Sequence, residues 1–198
     1  MKTHLLAAGL LLAAIGTSAQ EITPAGGKIN DIKDVDTFHL VLTYDKCRVG
    51  EAGKEENYLK RRQTELNAKE AGRGDEWVAS WQADKERHYK RKFIALFNKY
   101  AENKVVGDFP NARYKMTVNT TFIEPGYYAV VKMGKANIEA DIIITDSQNP
   151  NPKKFVTKWR ITEAVGRAEA TGIRVAEAYA DAGKAFGIYY RKALKALK

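Results

Sequence analysis

The stretch from Ile173 to Lys198 constrains this chain more than any other. It reads as one helix. At roughly 100° per residue, Val175, Tyr179, Phe186, Tyr189 and Tyr190 gather on one sector. Ala176, Ala180, Gly183 and Gly187 fill the adjoining sector, and Glu177, Asp181, Lys184, Arg191 and Lys195 take the remainder. The apolar arc is wide and two-sided, half bulky aromatic and half nearly smooth, so the helix must be covered over much of its girth. A glycine inside a helix costs ~1 kcal/mol relative to alanine. Two glycines aligned with two alanines signal close approach by another backbone, either the protein's own or a second chain's. Ala176, Ala180, Gly183 and Gly187 are therefore the candidate packing or partner surface, with internal packing favoured. The helix dipole agrees with the charge order, since Glu177 and Asp181 precede Arg191, Lys192, Lys195 and Lys198.

What this helix packs on is read from the strands. Phe38 to Tyr44 alternates, with Phe38, Leu40, Leu42 and Tyr44 on one face and His39, Val41 and Thr43 on the other. Tyr114 to Ile123 is the clearest strand by alternation and β-branching, ended by Glu124-Pro125-Gly126. Tyr127 to Met133 reads as a short strand and Asn137 to Thr145 as a longer one. The run Ile142-Ile143-Ile144 suggests cover on both faces. A turn at Asn149-Pro150-Asn151-Pro152 leads to a strand from Lys154 to Ile161, and the last three strands are expected to be antiparallel. Between the first and second strands, Glu51 to Glu70 reads as a polar helix broken at Ala71-Gly72-Arg73-Gly74, with Asp75 able to cap the next. From Asp75 to Asn103 aromatics recur in steps of four, at Trp77 and Trp81 and again at Tyr89, Phe93 and Phe97. Because four exceeds 3.6, that stripe drifts around the helix. The segment Asp84 to Lys92 has only Tyr89 as an apolar side chain. A bend or two helical pieces is expected there, with the tryptophans packed on different neighbours from the phenylalanines. The expected fold is α/β (α+β): a single mixed or antiparallel sheet of about four to five strands, a long helix pair, and a carboxy-terminal helix packed on the sheet.

The amino terminus carries an address. Met1 to His4 is a short basic start, Leu5 to Ile15 an apolar run too short to span a bilayer, and Gly16 to Ala19 a small-residue exit. Residues 1–19 read as a secretory signal cleaved between Ala19 and Gln20, residues 20–37 as a lead-in, and residues 38–198 as a single α/β domain. The expected location is the periplasm or the extracellular medium, with a peripheral position at the outer membrane as the furthest departure from free solution. The only cysteine, Cys47, excludes a disulfide scaffold, a cysteine-built zinc site and a lipid anchor beside the cleavage point. In an oxidising compartment such a thiol is expected to be buried and inert.

The formal net charge is +9, and residues 151–198 alone carry +7, with a lesser cluster at Lys85, Arg87, Lys90, Arg91 and Lys92. Such a surface attracts anionic partners at long range. Export and the lack of any finger, RNP-like motif or helix-turn-helix argue against nucleic acid. No Gly-x-Ser-x-Gly elbow, His-Glu-x-x-His helix, Walker loop or Cys-x-x-Cys pair occurs. No cofactor or metal is implied and no catalytic residue is assigned. Glu139 and Asp141 share a strand face, but carboxylate pairs of this kind occur in almost any chain of this length. The sequon at Asn119-Thr120-Thr121 lies mid-strand and is read as chance, and His39 as a sheet-face residue.

Two segments carry a resemblance. Phe122-Ile123-Glu124-Pro125-Gly126-Tyr127 is similar to a recurring feature of small uncharacterised secreted α/β proteins of gut-type Gram-negative bacteria. Arg174 to Gly187 resembles their terminal small-residue helix and, more distantly, the helix of curli-secretion-type and TolB-amino-terminal-type envelope domains. The resemblance implies an α/β fold and an envelope setting, and it brings no catalytic signature. The leading expectation is an exported, non-enzymatic envelope or secreted protein that acts by binding or assembly, with another envelope protein or an anionic envelope surface as partner. The alternative is a secreted hydrolase of glycan or peptidoglycan with dispersed carboxylates.

Overall fold

A computed structural model describes residues 21–129, 132–149 and 157–197. The expected signal with its Ala19–Gln20 junction, the end of the Asn149–Pro152 turn and the start of the strand expected from Lys154 lie outside the described residues. The elements run β1 (Glu21–Gly27), β2 (Thr37–Thr43), β3 (Arg48–Val49), α1 (Glu55–Asn67), α2 (Arg73–Asp84), a π-helical turn (Lys85–Lys90) and α3 (Arg91–Tyr100). They continue with β4 (Val105–Gly107), β5 (Tyr114–Glu124), β6 (Tyr127–Ala129), β7 (Lys132–Gly134), β8 (Ala136–Asp146), β9 (Thr157–Gly166) and α4 (Thr171–Lys195). Among the described residues no helix is long and apolar enough to cross a membrane.

The sheet is mixed and has seven strands, not four or five. Its order is β1-β9-β8-β5-β2-β4, with β3 paired to β5 beyond β2. Neighbours from β1 to β5 are antiparallel, whereas β2, β3 and β4 join in parallel. The strands missed from sequence are those that periodicity cannot reveal. β3 and β4 have two and three residues, and β1 contains Pro24, Gly26 and Gly27, residues that weaken a strand. The edge position tolerates them, so the segment expected as a lead-in supplies a border of the sheet. The strand expected over Tyr127 to Met133 is instead a hairpin, β6 on β7, that stands apart from the main sheet. β9 runs on past Ile161 through a bulge, where Glu163 has φ +56°.

Buried side chains of the long strands lie on one face: Leu40, Met116, Val118, Ile138, Ile142, Ile144, Trp159 and Ile161 are all essentially inaccessible. Alternate positions are half-buried or exposed, apart from Asp141, so the expected cover on both sides of Ile142 to Ile144 is not found. Ile143 is only half-buried. The long helices form one layer on the apolar face. Asp75 does not cap α2, whose N-cap is Gly72; its carboxylate instead accepts from Gln63 Nε2 at 2.6 Å across the α1–α2 corner. Where a bend or two helical pieces was expected between Asp84 and Lys92, Lys85–Lys90 forms a π-helical turn, which re-phases the stripe without ending the helix. Trp77 and Trp81 pack with Tyr58 of α1, while Phe97 packs with Phe186 and Tyr190 of α4.

α4 and the α3 segment lie side by side in the same direction. Tyr89 stacks on Tyr179 with ring centroids 4.9 Å apart, Gly183 faces the Phe93 backbone and Gly187 faces the Phe97 carbonyl. Within this layer the Tyr179 hydroxyl pairs with Thr120 Oγ1 at 2.5 Å, whereas the buried Tyr89 hydroxyl bonds no described group. A net hydrogen bond contributes ~0.5–1.5 kcal/mol, and a buried hydroxyl left unpaired costs ~1–3 kcal/mol. Tyr179→Phe should therefore lower the urea midpoint, while Tyr89→Phe should leave it unchanged or raise it. A Tyr89→Phe protein less stable than the parent would contradict this assignment.

Candidate functional site

A cleft of about 700 Å³ lies between the exposed side of α1, the β3–α1 connection, the β5–β6 turn and the start of α4. That volume falls within the ~300–1,000 Å³ typical of ligand sites. Its rim is aromatic. Tyr127 and Tyr128 stand on the β6–β7 hairpin with 47% and 49% of their surface accessible, the highest of any described large apolar side chain. Tyr58 contributes a third, largely covered ring, with the Arg61 guanidinium 5.9 Å from its centroid.

The turn beneath the two tyrosines is fixed by three devices. Gly126 has φ +64°, and a Cβ there would lie 2.4 Å from the Gly134 carbonyl oxygen, so only glycine fits. Glu124 Oε1 accepts from the Gly126 N–H at 3.1 Å. Arg174, at the first turns of α4 and 2% exposed, donates Nε to the Pro125 carbonyl at 3.1 Å. The same guanidinium donates to the Ala168 carbonyl at 2.7 Å, to the Glu169 carbonyl and to Thr171 Oγ1 at 3.1 Å. A buried guanidinium is costly unless its N–H groups are satisfied, and here carbonyl and hydroxyl oxygens satisfy them in place of a carboxylate. Burial pulls its pKa below the ordinary arginine value. Arg174 thereby ties the hairpin, the β9–α4 connection and α4 into one support.

The cleft lining holds three arginines, Arg61, Arg62 and Arg174, against four glutamates, Glu51, Glu65, Glu124 and Glu169. Glu65 pairs with Arg62 at 2.7 Å and with Arg61 at 3.9 Å. No leucine, isoleucine, valine, methionine or phenylalanine lines it, and the carbon-rich surface is supplied by the tyrosine rings and Pro125.

The residues singled out from sequence lie elsewhere. Gly183 and Gly187 are buried against α3, Ala176 is inaccessible and Ala180 half-buried. Glu139 and Asp141 do not form a free carboxylate pair, because Asp141 binds Lys158 and Arg160, each at 3.0 Å. Asn119 of the sequon is occupied in structure, its Oδ1 accepting from Thr43 Oγ1 at 3.0 Å and the Asp45 N–H at 2.9 Å. Cys47 is buried, and burial together with nearby Glu55 pushes its thiol up to about 12, which leaves little thiolate at neutral pH. Among the described residues no group of three histidine, cysteine or acidic side chains is placed to hold a metal ion.

Sequence reasoning missed the cleft because its parts are distant in the chain, from Gly50 to Arg174. One signal was present in Tyr127-Tyr128 directly after Pro125-Gly126. Adjacent strand residues point to opposite faces, so a buried strand could cover both rings only if both its faces were covered. Compared with known protein families and with characterised proteins, the chain matches none.

Proposed function

We propose that the protein is exported to the envelope or medium and acts there by binding or assembly. The observation that carries the reading is the cleft, where two exposed tyrosines stand on a rigidly supported turn. A rigid aromatic rim offers contact area at low ordering cost, which suits recognition. Two of the cleft carboxylates are already engaged, Glu65 by arginines and Glu124 by the turn N–H. Export rests on the basic start, short apolar run and small-residue exit of residues 1–19, and the envelope setting on the resemblance of the 122–127 and 174–187 segments.

A second surface supports peripheral contact with an anionic envelope. On the outer side of the helix layer, Lys99 and Lys184 both lie over the Tyr100 ring, at 5.6 and 5.5 Å. Both are exposed, as are Lys92 of α3 and Lys192 of α4. The alternative reading, a secreted hydrolase of glycan or peptidoglycan, draws on the four glutamates around the cleft.

Cell fractionation tests the reading. The protein is expected in the periplasm or medium, beginning at Gln20 or within a residue or two, with any envelope-bound fraction released as salt rises. Full-length protein in the cytoplasm would remove export. Bond cleavage in a glycan or peptidoglycan substrate that disappears in Glu51→Gln or Glu169→Gln would replace binding with hydrolysis.

A further inference from the structure

We infer that the cleft beneath Tyr127 and Tyr128 is a binding site for a neutral oligosaccharide, an inference that rests on the proposal that the cleft binds a ligand. The first argument is charge. Three arginines and four glutamates line the cleft, near balance, and several of these charges are satisfied inside the protein. Arg62 and Glu65 neutralise each other, and the Arg174 guanidinium is held by four oxygen acceptors. A site for a charged ligand presents an excess of the opposite sign; this one does not.

The second argument is the kind of apolar surface. A lipid tail or an apolar peptide anchor needs aliphatic walls, and the lining has none. An extended peptide would add to a free strand edge. The main sheet is bounded by β1 on one side and by β4 and β3 on the other, and none of these strands lines the cleft; β6 does line it, but is only three residues long. What the cleft offers is flat rings beside charged, planar hydrogen-bonding groups. A sugar ring has a face of C–H bonds that packs on an aromatic ring, and hydroxyls that both donate and accept. Carboxylates such as Glu51 and Glu169 accept from such hydroxyls, and the Arg61 guanidinium donates to them, in charge-assisted bonds that need no ionic ligand.

The third argument is preorganisation. The Tyr127 ring packs against Gly134, where a Cβ would come within 2.3 Å of it. The turn below is fixed by Gly126, Glu124 and Arg174, as described above. A ring held in this way does not have to be ordered by the ligand.

The test is titration calorimetry of the full mature chain with maltotetraose, cellotetraose and N-acetylchitotetraose, together with heparin, polylysine and a peptide array. Saturable binding of at least one tetrasaccharide is expected, insensitive to salt. Tyr128→Ala should weaken it by about tenfold or more, Tyr128→Trp should retain it, and the melting temperature should change little, since the hairpin stands apart from the main sheet. Arg61→Met provides a second variant that leaves the hairpin intact and should also weaken binding. Binding of heparin, polylysine or peptides, but of none of the neutral tetrasaccharides, in a manner abolished by Tyr128→Ala overturns the inference and leaves the cleft as a recognition site. Absence of any binding sensitive to Tyr128 or Arg61 overturns both.

Discussion

Replacing Phe186 with alanine is expected to remove about 3–5 kcal/mol of stability, the usual range for deleting a fully buried phenylalanine ring. Phe186 is inaccessible and sits where sheet and helices meet, with ring centroids 5.1 Å from Trp159, 5.8 Å from Phe97 and 5.9 Å from Tyr190. Those neighbours belong to β9, α3 and α4, so the cavity would open between three elements and none could collapse into it alone. For a chain of this size the loss corresponds to a fall in melting temperature of ~6–20 °C. The slope of the urea transition should stay the same, because the surface exposed on unfolding hardly changes. A loss below ~1 kcal/mol would mean that the ring is not packed as described.

Gly183→Leu is the second large effect, and its sign opposes helix propensity. Leucine favours a helix interior over glycine by ~1 kcal/mol or slightly less. Yet a Cβ at Gly183 would lie 2.5 Å from the Phe93 carbonyl oxygen and 3.1 Å from its Cα, and both contacts are backbone. A flexible side chain could move aside; a helix backbone must shift as a unit. The whole α3–α4 contact would have to open, at an overpacking cost of ~1–3 kcal/mol or more after the propensity gain. Even Gly183→Ala should destabilise. Gly187→Ala should cost less, since its nearest contacts, at 3.0 to 3.3 Å, leave room for small adjustment. Thermal melts of the three variants check the ranking. A Gly183→Ala protein as stable as the parent would show that the helices do not touch there.

The same glycines show how far the sequence could be read. Their alignment with Ala176 and Ala180 implied a close backbone, but two candidates fitted, an internal element and a second chain. The occupant is α3, and the steps of four at Tyr89, Phe93 and Phe97 meet the steps of four at Tyr179, Gly183 and Gly187. Each stripe is visible alone. Their match is not, because nothing in either stripe states which helix lies beside which. The same limit explains the sheet. β5 and β8 are eleven residues long and declare themselves by alternation over much of that length, whereas β3 and β4 are too short to have a period. They exist because β5 and β2 present free N–H and C=O groups that a short neighbour can satisfy.

Local pattern by itself determined the helices, the long strands, the shared face of Phe38 with Leu40 and of Trp159 with Ile161, and the disturbance between Asp84 and Lys92, since each depends on residues within a few turns of one another. Only the tertiary structure decided that Pro24 belongs to an edge strand, that Asp141 is held by Lys158 and Arg160, and that Arg174 reaches the Pro125 carbonyl. Those are contacts between residues distant in the chain. The cleft is the clearest case. Tyr58, Glu124, Tyr128 and Arg174 come together only because α1, the β5–β6 turn and α4 meet at one end of the sheet. Side-chain periodicity reports which face of an element is buried, but where two elements meet is set by packing and loop closure across the whole chain.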